Sequence, residues 1–320
     1  MSDQHASRLQ NFPVTWFATV MGLSGLTIAW HRAEAILQLP IHLSQWLLVL
    51  CTLLFIVLTA FYAAKALKYR DATLKEWAHP VKMNFVPSIS ISLILLSIAW
   101  LPVNPAYSQL LWLVGTVGHL LLTLYIITQW IHHSKFDIVH MNPAWFIPVV
   151  GNILVPISGV DHAPAEVSWF FFGIGLTFWP ILLTIIFYRV IFHGSLPERL
   201  MPTMFILIAP PAVGFLSYVR LTGGVDAFAH VLYGSALFFT LLLFFQARWF
   251  ARLKFFLSWW AYSFPLAAIA VATLVMFQHT GSVLYLRLSG ILLGIVTVVI
   301  AGLVMRTALA VKNCAICVEE

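Results

Sequence analysis

Ten stretches of this chain are apolar along nearly their whole length and follow one another with little between them. They run at roughly 13–31, 40–64, 84–101, 105–131, 144–158, 166–193, 200–221, 226–249, 254–277 and 283–311. A bilayer core takes about 20 apolar residues per helix, and it offers no water to unpaired backbone groups. The expected fold class is therefore an all-α integral membrane protein with ten transmembrane helices, filling residues 1–320 as one transmembrane domain. Composition agrees: 61% of the 320 residues are hydrophobic and 9% charged, against roughly 25% charged in a soluble domain. The fifth run is short and broken by Pro148 and Pro156. Short connectors make consecutive spans antiparallel neighbours, giving five helical hairpins. The polar segment before the first run has no small-residue cleavage site, so that run reads as a span and not as a removed leader.

Charge orients the stack. Fourteen of the seventeen Lys and Arg residues fall at the N-terminus, in the 65–83, 132–143, 189–199 and 248–254 connections, or at the C-terminal end. Arg32, Arg220 and Arg287 are the three on the opposite side. Basic residues are retained in the cytoplasm, so both termini are expected inside and the number of spans even. The net charge of +6 follows from the same retention and calls for no nucleic acid partner. Lys82, Arg248, Arg252 and Lys254 would ring the inner mouth of any pathway, where they could concentrate anions; retention alone also accounts for them. Three cysteines, two of them in the last seven residues, exclude a disulfide framework.

Interior prolines fall mostly in the first helices of the hairpins, as Pro87, Pro148, Pro210 with Pro211, and Pro265, with Pro180 in a second helix as the exception. The same helices carry Gly22 and Gly25, Ser88, Gly151 and Asn152, Gly214, and Ser263. Freed carbonyls and bends are tolerated where they face protein or a water-filled space, so these helices are expected to bend around a common axis. The competing reading is that prolines are commoner in membrane helices generally and that small residues serve close helix packing.

Groups needed for other functions are missing. Glu34, Asp161, Glu166 and Asp226 fall near span ends, and His119 alone is titratable near a helix middle. A lone intramembrane histidine is more often a satisfied packing residue than a proton relay. His132, His133 and His140 lack metal-site spacing, and the Cys314-x-x-Cys317 pair has no second ligand pair, so no metal is expected. No phosphate loop or nucleophile elbow occurs. The chain therefore reads as a transport protein without cofactor or catalytic residue.

Four segments go beyond composition: Phe12-Pro13-Val14-Thr15-Trp16-Phe17-Ala18-Thr19-Val20-Met21-Gly22, Asn142-Pro143-Ala144-Trp145-Phe146-Ile147-Pro148, Ile208-Ala209-Pro210-Pro211-Ala212, and Trp260-Ala261-Tyr262-Ser263-Phe264-Pro265-Leu266-Ala267. In this order they resemble the tellurite-resistance/dicarboxylate transporter family, which takes in bacterial TehA-like proteins and the slow anion channels of plant guard cells. The resemblance runs from about residue 12 to 312. It implies that the first helix of each hairpin lines a central pore and the second forms an outer ring. It also implies a homotrimer in the inner membrane that passes small inorganic or organic anions, with a phenylalanine of the ninth helix closing the pore. Phe264 is the matching position. Thr15, where many relatives have proline, departs from the pattern, and Pro265 beside the plug would stiffen or displace it.

A passive gated anion channel is thus the expected function, with a link to tellurite resistance through the family. A proton-coupled carrier of dicarboxylate, sulfite or tellurite would instead need His119 or Glu34. A membrane haem enzyme would need two histidines facing each other at one depth, and only His119 lies deep.

Overall fold

The computed structural model describes residues 8–317. Among the described residues eight helices are long and apolar enough to cross a membrane: α2 (Leu43–Lys68), α3 (Lys82–Trp100), α4 (Pro105–His132), α6 (Ala165–Phe192), α7 (Met201–Thr222), α8 (Ala227–Phe245), α9 (Leu257–Thr280) and α10 (Val283–Lys312). Two further helices fall outside that set. The first, α1 (Phe17–Leu37), carries His31, Arg32 and Glu34 in its last turns, and α5 (Pro143–Gly159) is shorter and apolar. A helix Arg70–Ala78 joins α2 to α3. The chain is thus a multi-pass α-helical membrane protein.

Burial divides these helices into two sets. Of the most apolar windows of α3, α7 and α9, 78%, 67% and 78% lie inside the protein, against 22% to 39% for α2, α4, α6, α8 and α10. In α5 nearly every residue is buried. The odd-numbered helices touch in a closed circuit, α1 on α3, α3 on α5, α5 on α7, α7 on α9 and α9 on α1. Each even-numbered helix packs on the odd one before it. Its remaining face is apolar and exposed, as at Leu53, Leu121, Phe238 and Val298, which suits lipid and would be costly in water.

The odd helices share a local device, and it corrects the expectation of bends within continuous α-helix. Each contains or directly follows a tight 3-10 stretch that passes into α geometry: Val14–Trp16 before Phe17, Lys82–Phe85 before Ser88, Gly151–Leu154 before Pro156, Met201–Ile208 before Ala209, Leu257–Tyr262 before Ser263. Pro87, Pro156, Pro210, Pro211 and Pro265 sit at or just inside these junctions. The first N–H groups of an α segment have no partner within it, so a proline there removes nothing. Two boundaries also move. Run one was expected to end near residue 31, but α1 continues to Leu37 and stops at Gln38, whose φ of 51° is left-handed. Arg32 and Glu34 therefore lie inside a helix and not in a connection. Glu34 is held there by the backbone N–H and hydroxyl of Ser44. Run eight stops at Phe245, and Gln246 separates it from the short helix Ala247–Phe250.

Candidate functional site

Inside the ring of odd helices lie two cavities in line. The first, about 80 Å³, is walled almost wholly by apolar groups from the early parts of the odd helices, including Met21, Ser88, Gly151, Pro210 and Pro265. The second, about 260 Å³, is walled by later parts of the same helices, including Gly25, Leu95, Ile157, Leu216 and Ala268. Leu154, Val213 and Phe264 line both. These three residues stand where the two cavities adjoin, and Phe264 is the largest of them.

The position of the Phe264 ring follows from its neighbours. Phe264 is the second residue of the α segment of α9, directly after the 3-10 turn. Gly25 of α1 lies opposite: a Cβ there would sit 3.3 Å from Cδ2 of Phe264 and 2.9 Å from Cβ of Ala267. Glycine thus gives the ring its space. One turn earlier, a Cβ on Gly22 would fall 2.1 Å from Oγ of Ser263, so Gly22 serves the α1–α9 contact and not the cavity wall. Ser263 is fully buried and donates to the Trp260 carbonyl at 2.6 Å.

The remaining sequence candidates divide the same way. Gly25, Ser88, Gly151, Pro210 and Pro265 border a cavity, whereas Pro87, Pro148, Asn152, Pro211 and Gly214 do not. Asn152 turns toward α4, donating to Oγ1 of Thr123 at 2.9 Å and to the Val149 carbonyl at 2.8 Å. The Pro148 carbonyl accepts from Thr123 at 2.6 Å. Gly214 admits Ile153 and Leu232. His119 is fully enclosed, its Nδ1 2.9 Å from Oγ of Ser90 and its Nε2 against Gly151. Arg248, Arg252 and Lys254 are exposed, Lys82 is half-buried, and none of the four borders either cavity. Among the described residues no group of three or more His, Cys, Asp or Glu is arranged to hold a metal ion.

Two residues that the sequence reading passed over stand in the second cavity: Arg32 of α1 and Arg220 of α7. Arg220 pairs with Asp161 and donates through Nε to the Ile157 carbonyl at 3.1 Å. Both arginines were among the three exceptions to the split of basic residues, and that exception was the available signal. Arg32 was overlooked because its helix was expected to end before it.

A helical membrane protein whose buried helices surround an interrupted axial cavity is the class these features define. The family described as SLAC1, voltage-dependent anion channel, matches residues 11–308, and the chain belongs to it. It is 27% identical to the S-type anion channel SLAH3 of Arabidopsis thaliana over 96% of its own length and 49% of that protein. It thus spans about half of that relative. It is also 27% identical to the tellurite resistance protein TehA homolog of Haemophilus influenzae, over 81% of this chain and 79% of that one. With the uncharacterized transporter MJ0762 of Methanocaldococcus jannaschii it shares 25% identity, over 86% and 87% of the two chains.

Proposed function

We propose that this protein is a gated anion channel of the inner (plasma) membrane, closed by Phe264. Ten transmembrane helices form five hairpins across residues 1–320, with the odd helices around the pore, the even helices outside and both termini cytoplasmic. The channel works as a homotrimer with one pore per subunit and conducts small inorganic or organic anions passively. Its relatives include proteins named as anion channels, and one named for tellurite resistance.

The observation that carries this reading is the wall between the two cavities. Among the described residues only Phe264, Leu154 and Val213 border both spaces, and none of their side chains offers a hydrogen bond to a hydrated ion. An aromatic ring across a narrow path blocks it sterically and also breaks its column of water. Opening then requires only that the ring swing aside. A coupled carrier would need an ionisable group at this point, but the nearest deep candidate, His119, lies enclosed behind Gly151.

Liposome flux assays with chloride, nitrate and malate test the function. A channel gives uptake that follows the electrochemical gradient, without early saturation and without a required proton gradient. Flux that saturates and collapses with the proton gradient would replace it with a carrier. Reporter fusions at Val311 and in the 159–164 connection should report opposite sides of the membrane. The same side for both would break the ten-span topology.

A further inference from the structure

We infer that the second cavity contains an anion-binding site, built on Arg32 with Arg220 beside it, for a small oxyanion or carboxylate. Only its place on a conduction path rests on the channel reading above.

The two arginines reach one cavity of about 260 Å³ from helices that are not neighbours in the ring. Gln278 and His279 from the end of α9 border the same space. Arg220 is already provided for by Asp161 and the Ile157 carbonyl. Arg32 makes no hydrogen bond among the described residues, although its guanidinium has five N–H donors. It shares the cavity wall with the apolar Ile28, Leu95 and Val275, and the charges of Arg220 and Asp161 both act on it. Because Asp161 balances only one of the two arginines, the cavity keeps a net positive charge.

Compensation of a helix dipole accounts for one arginine and not the other. Arg220 lies in the last turn of its helix, where a cation is stabilised by the carbonyl ends. Arg32 stands five residues before the end of α1, beyond the reach of that effect. A half-buried guanidinium without a hydrogen-bond acceptor among the described residues is costly, and an anion in the cavity supplies one. The guanidinium fork matches the paired oxygens of nitrate or a carboxylate, which a spherical halide lacks. Oxyanions should therefore bind better than chloride.

The test uses the full-length protein in detergent, with thermal midpoints followed against sodium nitrate and sodium chloride at matched ionic strength. Nitrate should raise the wild-type midpoint saturably above the chloride control. Arg32→Gln should lose that shift. Arg32→Lys, which keeps the charge and guards against a folding defect, should lose the preference for nitrate over chloride. An undiminished nitrate shift in Arg32→Gln, or no nitrate shift in wild type, would overturn the site. Current through Phe264→Ala protein separates this inference from the channel reading. An Arg32-dependent nitrate shift without any current would leave the site standing and remove the channel. Current without the shift would do the reverse.

Discussion

Two ion pairs sit at opposite ends of the helix ring and differ in how much water reaches them. Where the odd helices begin, Nζ of Lys65 lies 2.7 Å from Oε2 of Glu76, with side chains only 4% and 6% exposed. Glu76 also accepts the Val14 N–H at 2.8 Å, and Lys65 donates to the Phe12 carbonyl at 2.8 Å. Together they clamp the start of α1 to α2 and to the helix Arg70–Ala78. At the other end, the side chains of Arg220 and Asp161 are 33% and 42% exposed, and Arg220 faces a cavity. Enclosed charge at the first end holds structure. The pair at the second end stays within reach of water.

Substitutions at the two ends should separate these roles. The largest effect is expected from Lys65→Met, which strands the carboxylate of Glu76 in an enclosed site and should cost about 3–5 kcal/mol. A large fall in the thermal midpoint of purified protein would show it. Next comes Gly22→Ala, whose methyl group has no room beside Ser263 and Trp260 and should cost about 1–3 kcal/mol by prising α1 from α9. Gly290→Ala on the outer helix α10 meets nothing within 4 Å; by helix propensity alone it should be neutral or slightly stabilising. Equal losses from the two glycines would dissolve the distinction between inner and outer helices.

Asp161→Asn should cost no more than about 1 kcal/mol, because water already screens this pair. A loss matching that of Lys65→Met would contradict the contrast between the two ends. The smallest effect belongs to pH. Burial pushes the pKa of His162 below its ordinary value, and the nearby Asp161 carboxylate only partly offsets this. Its Nε2 lies 2.8 Å from Oγ of Ser108. The unfolded chain therefore takes up this proton first, so stability should slip as pH falls through about 6.5 toward the folded value. Midpoints measured on either side of that range should show a shallower slope in His162→Gln; an unchanged slope would assign the effect elsewhere.

The membrane class and most helix boundaries could be read in the sequence, because a bilayer imposes a length and a polarity that single residues seldom disguise. Proline positions picked out the buried helices. They did not reveal the change from 3-10 to α geometry, since proline suits both a kink and a first turn. Gly22 and Gly25 lie three residues apart on one helix, yet one packs against Ser263 and the other makes room for Phe264. That difference depends on the neighbouring helix, which a single chain segment does not encode. Phe264 was legible only through its motif, as one of 25 phenylalanines. Arg32 and Arg220 were hidden by the rule that oriented the protein, which treats basic residues on the sparse side as exceptions to be outvoted.

In the proposed channel one aromatic side chain, Phe264, closes the path between the two cavities. Single-channel anion current through wild type and Phe264→Ala, recorded in planar bilayers under identical gradients, tests it most directly. A sharp rise in conductance is expected for alanine and a smaller one for Phe264→Leu, with Phe255→Ala near the start of α9 unchanged. Equal currents through folded wild type and Phe264→Ala would contradict it.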